Sequence, residues 1–183
     1  EPADTPTQPY ILYVARLTPR KRQDLLLRAY ALAGVELPLV LLGGVSGPEG
    51  IAYENEMRAL ASELRIAERV IFAGFHQNPY PWIKKAALLA MSSDSEGLPT
   101  VLIESLILGT PVVSTDCPTG PSEILTGDLK GFLSPVDDAP ALAANICAAL
   151  EAYPAIGNEH VERFRCEATI RAYLAHFERL TSR

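Results

Sequence analysis

The chain has 183 residues, 48% of them hydrophobic and 21% charged, with a formal net charge of −6. That suits one soluble globular domain with a real core. The acidic balance argues against a nucleic acid polymer as partner, which calls for a broad basic face, but leaves room for a small anion held by a few local cations.

Residues 1–9, EPADTPTQP, are rich in Pro and Thr, have no apolar period and read as a linker. The chain starts at Glu1 rather than Met, so a fragment or processed product is expected, with one domain over 10–183. Five short apolar runs rich in β-formers follow, at 10–15, 37–43, 69–74, 87–92 and 111–115. Most end at small residues, as buried parallel strands do. Helical spacing marks 22–33, 51–66, 80–86, 99–109 and 139–153; 121–125 could form a turn or more, and 159–180 reads as one long terminal helix. The helix over 99–109 has Pro near its first turn, Gly at its end and apolar residues nearly all round, so it is expected to be fully buried. Alternating strands and helices predict an α/β fold, a Rossmann-like doubly wound parallel sheet with helices on both faces. Ligands of such sheets bind at the carboxyl ends of the strands.

No apolar run approaches the roughly 18 residues that span a bilayer, and no signal-peptide pattern is present. Cys117, Cys147 and Cys166 are too widely spaced for a disulfide framework or a zinc site, so a reducing, cytoplasmic compartment is expected.

Three strand-end loops draw attention. The first places Arg16, Arg20, Lys21 and Arg22 between a strand and a helix. The cluster is either a solvated charge run or an anion site, where Arg offers bidentate contact and Lys a point charge. The second, 41–50, holds Gly43, Gly44, Gly47 and Gly50 but neither GxGxxG nor GxxxxGK[ST], so an ordinary flexible loop is its plainer reading. The third, 73–82, carries aromatics and His76; a lone loop histidine is more often a surface residue.

Glu96 stands just before the helix over 99–109 and Glu104 in its middle. A buried carboxylate needs partners. Glu104 either pairs with an Arg or faces water at a sheet edge, or it accepts hydrogen bonds from ligand hydroxyls. Thr100 lies one turn nearer the amino end, where free N–H groups and the helix dipole favour an anion.

The stretch from Glu96 to Glu104, EGLPTVLIE, has seven residues between its glutamates. It resembles the E-x7-E motif of retaining glycosyltransferases of the GT-B fold, in particular the large family 4 group. YVARLTPRK, LVLLGG, RVIFAGF, SSDSEGLP, GTPVVSTD and GPSEI follow in that family's order and spacing, covering about residues 10–135. Ala15 stands where the family usually has Gly, and Ser105 where it usually has Ala; both are small.

The resemblance implies the carboxyl-terminal, donor-binding half of such an enzyme, with the amino-terminal acceptor half absent. On it, Arg16 and Lys21 hold the donor diphosphate, and Glu96 contacts the transferred sugar near its anomeric carbon. Glu104 accepts hydrogen bonds from the ribose, Gly44 belongs to the second-strand turn, and Phe75 and His76 bracket the base. Backbone groups around Leu98, Thr100 and Val101 meet the phosphates or sugar. The implied substrate is a nucleotide diphosphate sugar, with UDP the expected nucleotide, and no cofactor or metal is required. The acceptor would be a glycan or a lipid-linked glycan reached through the absent half, as in bacterial surface-polysaccharide assembly. NPYPWI and STDCPTGP resemble members that act on N-acetylhexosamines or other hexoses. The chain alone is expected to bind donor but transfer poorly, and its long last helix to reach toward the absent half. Membrane contact, peripheral at the inner face, is expected only of the full-length chain. The alternatives are a non-catalytic nucleotide-sugar-binding module or another GT-B relative such as an epimerase. A phosphorylase lacks its pyridoxal lysine context here, and a Rossmann oxidoreductase its glycine fingerprint.

Overall fold

A computed structural model of the protein describes residues 6–181. Residues 1–5 of the stretch read as a linker, and 182–183 of the terminal helix, lie outside the described residues.

Six strands form one parallel sheet: β1 (Ile11–Val14), β2 (Leu39–Leu42), β3 (Val70–Gly74), β4 (Leu88–Met91), β5 (Val112–Thr115) and β6 (Leu133–Ser134). Their order is β3-β2-β1-β4-β5-β6, the doubly wound arrangement that alternation predicts. The chain reverses direction of travel between β1 and β4, and a crevice opens there at the carboxyl edge. β2, β4 and β5 are buried along their whole length, which is why β2 and β4 are continuous apolar runs rather than alternating ones, while β5 ends on the buried hydroxyls of Ser114 and Thr115.

The crossovers are α1 (Gln23–Ala33), α2 (Gly47–Glu63), α3 (Tyr80–Lys85), α4 (Thr100–Ile107) and α5 (Pro121–Ile124), followed by α6 (Ala139–Glu151), α7 (Asn158–Val161) and α8 (Cys166–Thr181). On one face, Leu26 and Tyr30 of α1, Met57 of α2 and Ile146 of α6 cover Ile11, Leu39, Leu41 and Val113. On the other, Trp82 and Ile83 of α3, Leu102 and Leu106 of α4, Ile124 of α5 and Val161 of α7 cover Leu12, Val40, Leu89 and Val112.

Three expectations need correction, and one strand was missed. α2 starts at Gly47, so the second half of the glycine-rich 41–50 segment is helix rather than flexible loop. Ser46 stands in extended conformation at its start, with Pro48 and Glu49 in the first turn, a start signature that the glycines obscured. α4 is not fully buried: Leu102 and Leu106 face the core, but Ile107 is 55% exposed, because no described element lies over that side. The terminal helix is not continuous. α7 ends at Val161, a 3₁₀ turn spans Glu162–Phe164, and Arg165 is extended (ψ 146°) before α8 begins. β6 went unread, because two residues are too few to show a period.

Candidate functional site

β1 and β4 are neighbours in the sheet, so the loops that leave them meet although some 75 positions separate them. The loop after β1 is tied down through its own backbone. Tyr13 Oη donates to the carbonyl of Lys21 (2.7 Å), Ser92 Oγ to those of Lys21 and Arg22 (3.1 and 2.8 Å), and Gln23 Nε2 to that of Arg16 (3.0 Å). The N–H of Asp94 reaches the carbonyl of Arg20 across the two loops (3.2 Å).

These tethers sort the four cations. Arg22, left-handed at φ 50°, is bound by Asp24 and by Asp137; bonds to those two carboxylates raise its pKa above the ordinary value. It is a structural clamp. Arg20 donates to Ser95 Oγ at the surface (3.1 Å). Arg16 and Lys21 remain, and they line one polar cavity of about 330 Å³ with Glu96, Leu98, Thr100 and Val101. Lys21 Nζ donates to Glu96 Oε1 at 2.5 Å. Arg16 has no side-chain hydrogen bond or ion pair among the described residues.

A second cavity, about 310 Å³ and mostly apolar, adjoins the first and shares Val14, Ala15 and Arg16 with it. Gly44, Phe75, His76 and Gln77 complete its wall. Here the backbones come very close: a Cβ on Gly43 would stand 1.8 Å from the carbonyl oxygen of Ala15, so only glycine fits. Phe75 is 76% exposed at the rim, and His76 packs on Trp82 with ring centroids 4.8 Å apart. A third cavity across the Arg16 loop presents Glu49 and Glu56, a poor setting for a phosphate.

Nine of the ten residues singled out in the sequence therefore line these two adjoining cavities. Glu104 does not. It is half-buried one turn beyond Thr100, and its side chain has no hydrogen bond or ion pair among the described residues, so the pairing with an Arg is not present.

Sequence reasoning reads 116–124, with Gly120, Glu123 and two prolines, as a rigid turn at a strand end, but it missed the way that turn holds the glutamate loop. Thr119 is left-handed (φ 62°) and its hydroxyl lies 2.6 Å from the Glu96 carbonyl oxygen, to which it donates. Gly120 follows at φ 93°, where a Cβ would meet Pro99 Cδ at 2.4 Å. The turn after β5 thus presses against residues 96–99. Cys117, buried in the same turn, has its thiol pKa raised by burial first and by the nearby Glu96 charge second. Ser93 lines the polar cavity, and its buried Oγ has no hydrogen-bond partner among the described residues. The adjacent hydroxyls at 92 and 93, at the end of an apolar strand, were the available signal.

No helix among the described residues is long and apolar enough to cross a membrane.

The chain is similar to known glycosyltransferases. A lipopolysaccharide 1,6-galactosyltransferase of Escherichia coli K12 is 32% identical over 87% of this chain, which covers 43% of that protein. A Campylobacter jejuni N-acetylgalactosamine-N,N'-diacetylbacillosaminyl-diphospho-undecaprenol 4-alpha-N-acetylgalactosaminyltransferase is 39% identical over 78% of the chain, which covers 37% of it. The chain thus spans less than half the length of these curated relatives. Among solved structures, the apo form of the lipopolysaccharide outer core galactosyltransferase WaaB superposes with a TM-score of 0.80 at 25% identity, covering 94% of this chain and 50% of that one. Anabaena Alr3699/HepE in complex with UDP gives 0.72 at 26% identity, covering 78% and 39%. The family described as Glycosyl transferases group 1 matches residues 2–169, and the chain belongs to it.

Proposed function

We propose that the chain is the donor-binding half of a retaining glycosyltransferase that moves a sugar from a nucleotide diphosphate to a glycan or lipid-linked acceptor. The observation that carries this reading is the pair of adjoining cavities. One gathers Arg16, Lys21, Glu96 and the first turn of α4, and the other is an apolar slot rimmed by Phe75 and His76. A diphosphate fits the first and a nucleobase the second, with Arg16 common to both.

In the reaction, Arg16 and Lys21 stabilise the negative charge that gathers on the leaving diphosphate. Glu96 faces the transferred sugar and stabilises positive charge at its anomeric carbon. Glu104, whose side chain has no partner among the described residues, accepts hydrogen bonds from the ribose. This chemistry asks for no cofactor and no metal. UDP is the expected nucleotide, supported by the UDP complex of the Anabaena protein. An N-acetylhexosamine or hexose, and an acceptor in surface-polysaccharide assembly, are supported by the names of the C. jejuni and E. coli relatives. The acceptor site belongs to polypeptide beyond this chain. The apolar face of α8, with Ile170, Tyr173, Leu174 and Phe177 all more than half exposed, supports a surface that the rest of the enzyme covers. The isolated chain then binds donor without transferring it, and any peripheral membrane contact falls to the full-length enzyme in the cytoplasm.

Calorimetric titration with UDP, GDP and ADP tests the reading. Selective binding of one nucleotide, weakened by Lys21→Ala and, through the ribose, by Glu104→Ala, is the expected result. Absence of binding by all three, in this chain and in a chain extended to its relatives' length, would refute it.

A further inference from the structure

The Lys21 ammonium is the focus of two claims. In the structure Glu96 holds it at 2.5 Å, with the lysine side chain 29% and the glutamate side chain 13% exposed. This partial burial makes the pair firmer than a solvated surface pair. The Glu96 backbone is fixed by Thr119 and the Lys21 backbone by Tyr13 and Ser92, so the two side chains start from held positions on facing loops. Two other cations of the loop are not rivals for Glu96, since Arg22 is taken by Asp24 and Asp137 and Arg20 by Ser95; Arg16 shares the cavity but makes no ion pair with Glu96 among the described residues.

Resting on the donor-site reading, we infer that Glu96 sets the preference of this site for a sugar-bearing donor over the bare nucleoside diphosphate. A diphosphate that enters the polar cavity must take Lys21 from Glu96, which leaves a carboxylate 13% exposed and without its cation. Such a loss is costly unless new donors replace the ammonium. The hydroxyls of a donor sugar supply them. The diphosphate released after transfer has none, so Glu96 draws Lys21 back and the product is expelled. The glutamate thereby acts a second time, as a competitor anion in product release. It also keeps the cavity from filling with phosphates that carry no sugar.

The test is a double-substitution cycle read by calorimetry with UDP, GDP and UDP-glucose, on wild type, Glu96→Gln, Lys21→Ala and the double variant. Glutamine keeps the shape and removes the charge. Glu96→Gln should bind the bare diphosphate about fivefold more tightly, the worth of one partly buried ion pair. UDP-glucose should gain nothing or weaken, so the ratio of the two dissociation constants falls. In the Lys21→Ala background the same change should leave the bare diphosphate unaffected. Equal tightening in both backgrounds would overturn the inference, since Glu96 would then merely repel phosphate without any contest for Lys21. Unchanged or weaker binding of the bare diphosphate by Glu96→Gln would overturn it while leaving the donor site standing. No binding of any probe by any variant, each folded by circular dichroism, would overturn the donor-site reading and the inference together.

Discussion

The two cavities share Arg16 and the end of β1, yet they are built in opposite ways. The polar one is made by tethers: hydroxyls and an amide from Tyr13, Ser92 and Gln23 hold backbone carbonyls, and the charged side chains are left to meet a ligand. The apolar one is made by close approach, with Gly43 against Ala15 and Gly44 against Phe75, and a rim of exposed rings. One side is therefore sensitive to the loss of a charge or a hydroxyl, and the other to the gain of a methyl group.

The sharpest way to break that contrast is Gly43→Ala. The new Cβ would collide with backbone, not with a flexible side chain, at 1.8 Å from the Ala15 oxygen. A loss of about 3 kcal/mol is expected, at the upper end of overpacking costs, read as a lower urea midpoint at constant m-value. A midpoint equal to wild type would show that β1 and β2 can part freely there.

Lys21→Ala comes next. Nucleoside diphosphate affinity should fall about 30-fold, some 2 kcal/mol for a hydrogen bond to a charged group, while the melting temperature falls by only a few degrees as Glu96 loses its cation. A large drop in melting temperature would instead make the Lys21–Glu96 pair a structural brace.

Tyr13→Phe should cost about 1 kcal/mol of stability through the lost tether to Lys21. It should also change the response to alkali. Burial pushes the Tyr13 phenol well above its ordinary value of 10.0, and the phenols of Tyr53 and Tyr153 to about 12. The unfolded chain ionises these tyrosines near 10.0 and the folded chain does not, so the unfolded state binds fewer protons. Stability is then whole below that pH and falls as pH rises past it. Melting curves from about pH 8 to about pH 11 should show the fall, less steep in Tyr13→Phe. A slope that the substitution leaves unchanged would assign the effect to the other tyrosines.

Phe75→Ala is the mildest. At 76% exposure the ring contributes little to folding, so stability should stay within about 0.5 kcal/mol. Nucleotide affinity should drop about fivefold from lost base stacking. Unaltered affinity would remove Phe75 from the base site.

The same contrast explains what could be read from sequence. The inner strands were legible because they are buried on both faces and announce themselves as apolar runs. Arg16, Lys21 and Glu96 were singled out through the resemblance that YVARLTPRK and EGLPTVLIE carry, since their chemistry alone left a solvated charge run open. That Arg22 belongs to the fold was not legible, since its partner Asp137 is 115 positions away. The roles of Tyr13 and Thr119 were hidden for a related reason: both act by holding a carbonyl, and every residue has one. Gly43 and Gly44 were visible as glycines, but only the distance to Ala15 shows that the first of them is obligatory.

The adjacency of β1 and β4 has a consequence for the order in which the protein acquires its properties. Helices and the β1–β2 crossover close over short spans of chain, whereas Lys21 and Glu96 come together across 75 positions. Loop-closure entropy makes such contacts late. During refolding, helical ellipticity should therefore return first and nucleotide affinity last. A nascent chain released from the ribosome before residue 119 would have every charged side chain of the polar cavity and still lack the brace that holds its glutamate in place.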